Sequence, residues 1–111
     1  MSELIKSGSD APVDRAILHW LWKDPALDPL RQTCIEAAGD RDCVVLMAEA
    51  ALAAVDADRW LAGRRGRWLV LRPDLISQGW EPENVSDGIG CVDHEDLVAL
   101  ACQYPLSQSW A

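Results

Sequence analysis

Four short apolar runs constrain the fold of this chain more than any other feature: Ala16–Trp22, Cys43–Ala48, Arg67–Leu71 and Ile89–Val92. Cys43–Ala48 shows no polar alternation, as expected of a strand covered on both faces. Helix-like stretches of about ten residues separate the runs, so the chain reads as successive βαβ crossovers around a parallel sheet. Right-handed crossovers place helices on both faces of such a sheet. The expected architecture is a single-domain, three-layer α/β fold with a small, mostly parallel sheet of about four strands.

Local signals give the helices their expected bounds. Asp28-Pro29 reads as a helix start, with Asp as N-cap and Pro in the first turn. That helix would set Leu27, Leu30, Cys34, Ala37 and Ala38 on one face and end at Gly39-Asp40. Ala50–Leu61 reads as a second helix closed by Gly63–Gly66, and Pro73–Gln78 as a short one ended by Gly79. Asp93 caps the last helix with Asp96 at the third position, and the expected apolar face is Leu97, Leu100, Ala101 and Tyr104. Residues 1–15 carry Ser7-Gly8-Ser9-Asp10 and Pro12 and read as a flexible polar arm, leaving 16–111 as the domain.

A length of 111 residues supports one core rather than two. A formal net charge of −8 argues against direct contact with nucleic acid, because phosphate neutralisation needs clustered Lys and Arg. The first fifteen residues hold no apolar leader. The longest apolar tract, Cys43–Val55, is broken by Glu49 and too short to span a bilayer. A cytoplasmic location is expected. The cysteines at 34, 43, 91 and 102 form no C-x-x-C pair, and His19 and His94 sit at no metal-ligand spacing. No metal or cofactor is expected. Six tryptophans against one tyrosine and no phenylalanine make Trp110, Trp20 and Trp22 the expected interface residues, since Trp is enriched at interfaces.

Cys34 is the residue most open to a chemical role. Persulfide carriage needs an accessible sulfur whose pKa is drawn down toward neutrality, whereas a cysteine in the apolar stripe of a helix packs as a small hydrophobe. Cys91 stands late in a strand, on the side where open α/β sheets bind ligands; Cys43 begins a buried strand, and Cys102 lies off the apolar face of the last helix. Arg59, Arg64, Arg65, Arg67 and Arg72 concentrate half of the basic residues, either as a solvated face or as a contact for an acidic partner. Gly63-Arg64-Arg65-Gly66 follows a helix rather than a strand and is no phosphate loop.

Several segments together resemble one family. Ile17-Leu18-His19 followed by Lys23-Asp24-Pro25 is similar to the opening of the DsrH/TusB branch of the DsrE-like sulfur-relay proteins. Cys34 falls where the dissimilatory members carry a cysteine. Pro73-Asp74-Leu75 with Gln78-Gly79, the acidic-capped last helix and the closing Gln108-Ser109-Trp110 complete the likeness, which runs from Ile17 to Trp110. One departure is Ala48-Glu49-Ala50, which stands where the family has an acidic residue, Asp and Gly; Glu49 is expected to cap the helix that follows. The resemblance implies a DsrE-like, flavodoxin-like fold and a subunit of a heterohexamer with DsrE/TusD-like and DsrF/TusC-like partners. It implies the passing of persulfide sulfur between cysteines toward a downstream sulfur-carrier protein, in dissimilatory sulfur oxidation or tRNA 2-thiouridine synthesis. On that reading Cys34 is the candidate carrier; on the alternative the chain is a non-catalytic assembly subunit whose cysteines only fill the core.

Overall fold

Strand β1 (Ile17–Leu21) leads through a nine-residue loop to helix α1 (Arg31–Ala37), and strand β2 (Cys43–Leu46) follows in parallel. Residues 16–110 are described by a computed structural model; the expected arm at 1–15 lies outside them. A 3₁₀ segment (Ala48–Ala54), helix α2 (Ala57–Trp60), strand β3 (Arg67–Leu71) and helix α3 (Arg72–Ser77) come next. A one-turn 3₁₀ segment (Pro82–Asn84), strand β4 (Ile89–Val92), helix α4 (His94–Gln103) and strand β5 (Leu106–Trp110) complete the order. The sheet has the order β4-β3-β2-β1-β5 with every pair parallel.

The layers follow from handedness. The crossovers β1 to β4 all step the same way along the sheet, so right-handed connections put α1, the first 3₁₀ segment and α3 on one face. The last crossover runs back past β1, so α4 lands on the other face. Two cores result. Leu21, Val44, Leu46, Trp68, Val70 and Ile89 pack against Cys34, Ile35, Ala38, the buried alanines and Leu75. Leu18, Cys43, Val45, Leu69, Leu71 and Val92 pack against Leu100 of α4.

Five strands stand where about four were expected. The addition is β5, whose Leu-Ser-Gln-Ser-Trp sequence carries no apolar run because most of its side chains face solvent. The first helix starts at Arg31 rather than Asp28. Asp28 Oδ1 instead accepts the Leu30 N–H at 2.8 Å, an Asx turn ahead of the helix. Leu27 is consequently 80% exposed, and the buried face is Cys34, Ile35 and Ala38.

The expected helix over Ala50–Leu61 is a tight 3₁₀ segment and a separate single turn. Ala50, Ala51, Ala53 and Ala54 are all buried, because the segment packs between the sheet and α3 and is tied at its end to Ser86. Ser86 N–H donates to the Ala54 carbonyl, and the Ala57 N–H donates to Ser86 Oγ. Covered on both sides, the alanines serve no single amphipathic stripe. Glu49 is exposed and makes no cap. Asp74 of α3 does that work across the sheet end, its Oδ2 accepting the Ala48 N–H at 2.5 Å while Ala48 takes φ +50°.

At the last helix, Asp96 Oδ2 accepts the Asp93 N–H at 2.8 Å, the reciprocal half of a capping box. Leu100 is buried and Leu97 and Tyr104 half-buried as expected, but Ala101 faces solvent. Among the described residues, no helix is long and apolar enough to cross a membrane.

Candidate functional site

The four thiols occupy very different environments. Cys34 sits on the sheet-facing side of α1 with none of its surface exposed. Burial, and then the nearby negative charge of Asp28, push its thiol up to about 12. Cys43 opens β2 and is equally buried; desolvation outweighs the pull of Arg67 and lifts it to about 11. Cys91, on the edge strand β4, is half-buried, and burial raises its thiol while Arg72 draws it down and Asp93 pushes it up. Cys102 is exposed on α4, and all four are free thiols. A nucleophilic sulfur needs the reverse of what Cys34 has, namely access and a stabilised thiolate.

A cleft of about 330 Å³ opens between α4 and the β3–β4 side of the sheet. Its lining includes Arg67, Cys91, Val92, Asp96, Leu100 and Gln103. Beside it, Gly90 lets β4 sit close to its neighbour in the sheet: a Cβ there would meet Leu69 Cδ2 at 2.9 Å. Among the described residues, no three His, Cys, Asp or Glu side chains converge to hold a metal ion.

A second constellation lies where β1 meets β5. His19, 2% exposed, places Nε2 at 2.9 Å from Asp42 Oδ2, and Nδ1 accepts the Trp110 indole N–H at 3.0 Å. Asp42 Oδ1 accepts the Ile17 N–H and Oδ2 the Gly39 N–H. Burial works to raise the Asp42 carboxyl, but the hydrogen bonds from His19, Ile17 and Gly39 prevail and leave it lowered. This network was not singled out from the sequence. Its signal was the register: pairing Leu18 with Cys43 brings Asp42, one residue ahead of β2, to the start of β1.

Of the expected interface tryptophans, Trp110 is half-buried against the first core and is engaged within the chain itself. Trp20 is half-buried against the second core, and Trp22 is 38% exposed just beyond β1. Two guanidinium groups lie over the Trp60 ring, Arg31 and Arg59 at 5.2 and 4.7 Å from its centre. Cys34, Trp20, Trp22 and Trp110 are therefore not gathered at one place. Trp110 and Cys34 both meet the first core, whereas Trp20 faces the second and Trp22 lies beyond β1.

The fold and its thiols define a small parallel α/β protein with a helix layer on each face. The solution NMR structure of protein Tm0979 from Thermotoga maritima has this fold: it is 14% identical, superposes with a TM-score of 0.58, and covers 76% of this chain and 88% of its own. No curated protein matches the chain. The family model described as DsrH like protein matches residues 24–106. The chain belongs to the DsrH-like family, which associates it with sulfur relay and with DsrE- and DsrF-like partners.

Proposed function

We propose that this chain is an assembly subunit of a cytoplasmic sulfur-relay complex, bound to DsrE/TusD-like and DsrF/TusC-like subunits, whose own buried cysteines are structural. Family membership supports the relay. The observation that carries the assembly role is Cys34, whose sulfur is fully enclosed and whose thiol is held up at about 12. In such a relay an attacking thiolate bonds to the outer sulfur of a persulfide as the older S–S bond breaks and the donor leaves as thiolate. A sulfur enclosed by its own chain, as that of Cys34 is, lies out of reach of such an attack. The half-buried Trp20, within β1, and the exposed Trp22, just beyond it, are the proposed partner contacts. The complex would hand sulfur to a downstream carrier in sulfur oxidation or tRNA 2-thiouridine synthesis.

The test is polysulfide loading of the native protein, alkylation and peptide mass mapping. Cys34 is expected to gain no sulfur and to be alkylated only after unfolding. A one-sulfur adduct on native Cys34, lost in Cys34→Ser, would sink the assembly reading and support carriage. One observation favours that second reading. Asp28 Oδ2 is buried without a hydrogen-bond partner, so movement of the 24–30 loop would hydrate it and uncover α1. Co-purification with the products of neighbouring genes tests the relay itself.

A further inference from the structure

The imidazole of His19 serves two partners that respond oppositely to a proton. Nε2 lies 2.9 Å from Asp42 Oδ2, and Nδ1 accepts the Trp110 indole N–H at 3.0 Å. A neutral ring satisfies both, with its hydrogen on Nε2, whereas a protonated ring carries hydrogen on both nitrogens. The contact with Asp42 then becomes a charge-assisted pair, but Nδ1–H meets the indole N–H head on. The indole offers the cation no compensation. Its N–H lies in the ring plane and points at the imidazole, with the two planes 29° apart, so the charge faces the positive edge of the indole and not its negative face.

The surroundings leave the outcome to these two partners. His19 is buried; its neighbours across the sheet are Val44 and Gln108, and along the same face of β1 Ile17 and Leu21. On α1 the charged or ionisable residues are Arg31, Cys34 and Glu36. Arg31 donates to the Pro25 carbonyl and lies over Trp60, Glu36 is exposed and accepts from Gln32, and the Cys34 thiol is held up at about 12. Asp40 and Arg41, in the turn before Asp42, are exposed, and β5 carries no ionisable side chain. Asp42 itself, held below the usual carboxylate range, stays charged where imidazoles titrate, between pH 5 and 8.

Little else holds the C-terminal end of β5. Four of its five side chains are exposed, and Trp110 alone is half-buried, packed against the first core. Beyond that side chain the strand has its backbone ladder with β1.

We propose that His19 is a proton-operated latch on the C-terminal end of β5. Neutral, it holds Trp110; protonated, it stays with Asp42, releases the indole and lets that end of the strand open. Trp110 pairs in register with Leu21, one residue before the exposed Trp22, so the opening occurs beside that tryptophan. The latch is independent of the relay reading.

Coupling of this kind is reciprocal. The indole N–H favours the neutral ring and lowers the pH at which His19 takes its proton, whereas Asp42 favours the cation and raises it. NMR titration of the ¹⁵N-labelled full chain from pH 8 to pH 5 tests both halves. Trp110→Phe identifies the Trp110 indole signal among those of the six tryptophans. In the wild type that signal is expected to move toward the position of a free indole as His19 protonates. The amides at that end of β5 should exchange faster in step with it, before circular dichroism reports any loss of fold. The His19 titration should shift up by roughly half a pH unit or more in Trp110→Phe, and down by a similar amount in Asp42→Asn. Exposed His94 should titrate alike in all three proteins. An indole signal that keeps its place until the whole fold is lost overturns the proposal. So does a His19 titration that Trp110→Phe leaves unmoved, or one that both variants move the same way.

Discussion

Trp110 donates its indole N–H to Nδ1 of His19 at 3.0 Å, joining the last strand to the first. With Nδ1 accepting, the neutral ring keeps its hydrogen on Nε2, where it donates to Asp42 Oδ2. One imidazole thus links β5, β1 and the turn before β2 in a single chain of hydrogen bonds.

Removing the indole donor tests that link. Trp110→Phe keeps a ring against the core but leaves the buried Nδ1 without a donor, which costs about 1–3 kcal/mol. Trp110→Ala loses packing as well and should cost more. Urea unfolding midpoints at neutral pH would measure both. Midpoints unchanged in the Phe variant would show that the hydrogen bond contributes nothing.

Asp42 gives the fold a particular weakness to acid. Its folded carboxyl is lowered, so its contribution to stability is complete above the unfolded carboxylate value of about 3.9. It is lost as pH falls through the lower folded value. Asp42→Asn should cost about 1–3 kcal/mol at neutral pH and flatten the stability profile at the acid end. Parallel acid profiles for wild type and variant would refute this assignment.

Two glycines with similar backbones should respond differently to the same change. Gly66 has φ +86°, and a Cβ there would lie 2.6 Å from the carbonyl oxygens of Asp42 and Gly39. Gly63 has φ +82° with nothing within 4 Å. Gly63→Ala should cost only the left-handed backbone penalty of about 1–2 kcal/mol, and Gly66→Ala clearly more. Thermal unfolding of the pair provides the comparison, and equal losses would contradict it.

Thiol reactivity should divide by burial. Native protein at neutral pH is expected to react first at exposed Cys102 and more slowly at Cys91. Cys34 and Cys43, with thiols at about 12 and about 11, should react only on unfolding. Timed alkylation resolved by peptide mass gives the order directly, and early labelling of Cys43 would break it.

The parallel sheet was legible because buried strands announce themselves as unbroken apolar runs, and Cys43–Leu46 and Arg67–Leu71 lie within the runs that announced them. Strand β5 was not, since an edge strand with solvated side chains has no hydrophobic pattern to read. Asp28 signalled a helix start, yet the same side chain serves equally well in an Asx turn, which the chain adopts. The alanines after β2 favour helix by local propensity, but tertiary contacts from Ser86 reshape them. Apolar periodicity pointed to the burial of Cys34. The His19–Asp42–Trp110 chain depends on strand register, which no local stretch encodes.

The pairing of β1 with β5 also bears on how the molecule assembles. A strand at residues 17–21 must leave one flank open until residues 106–110 are available to complete it. Contacts so far apart in sequence carry a high loop-closure cost and form slowly. Until they form, the nascent protein exposes the edge of an apolar strand to its neighbours, which β5 then replaces with an edge whose side chains are mostly solvated.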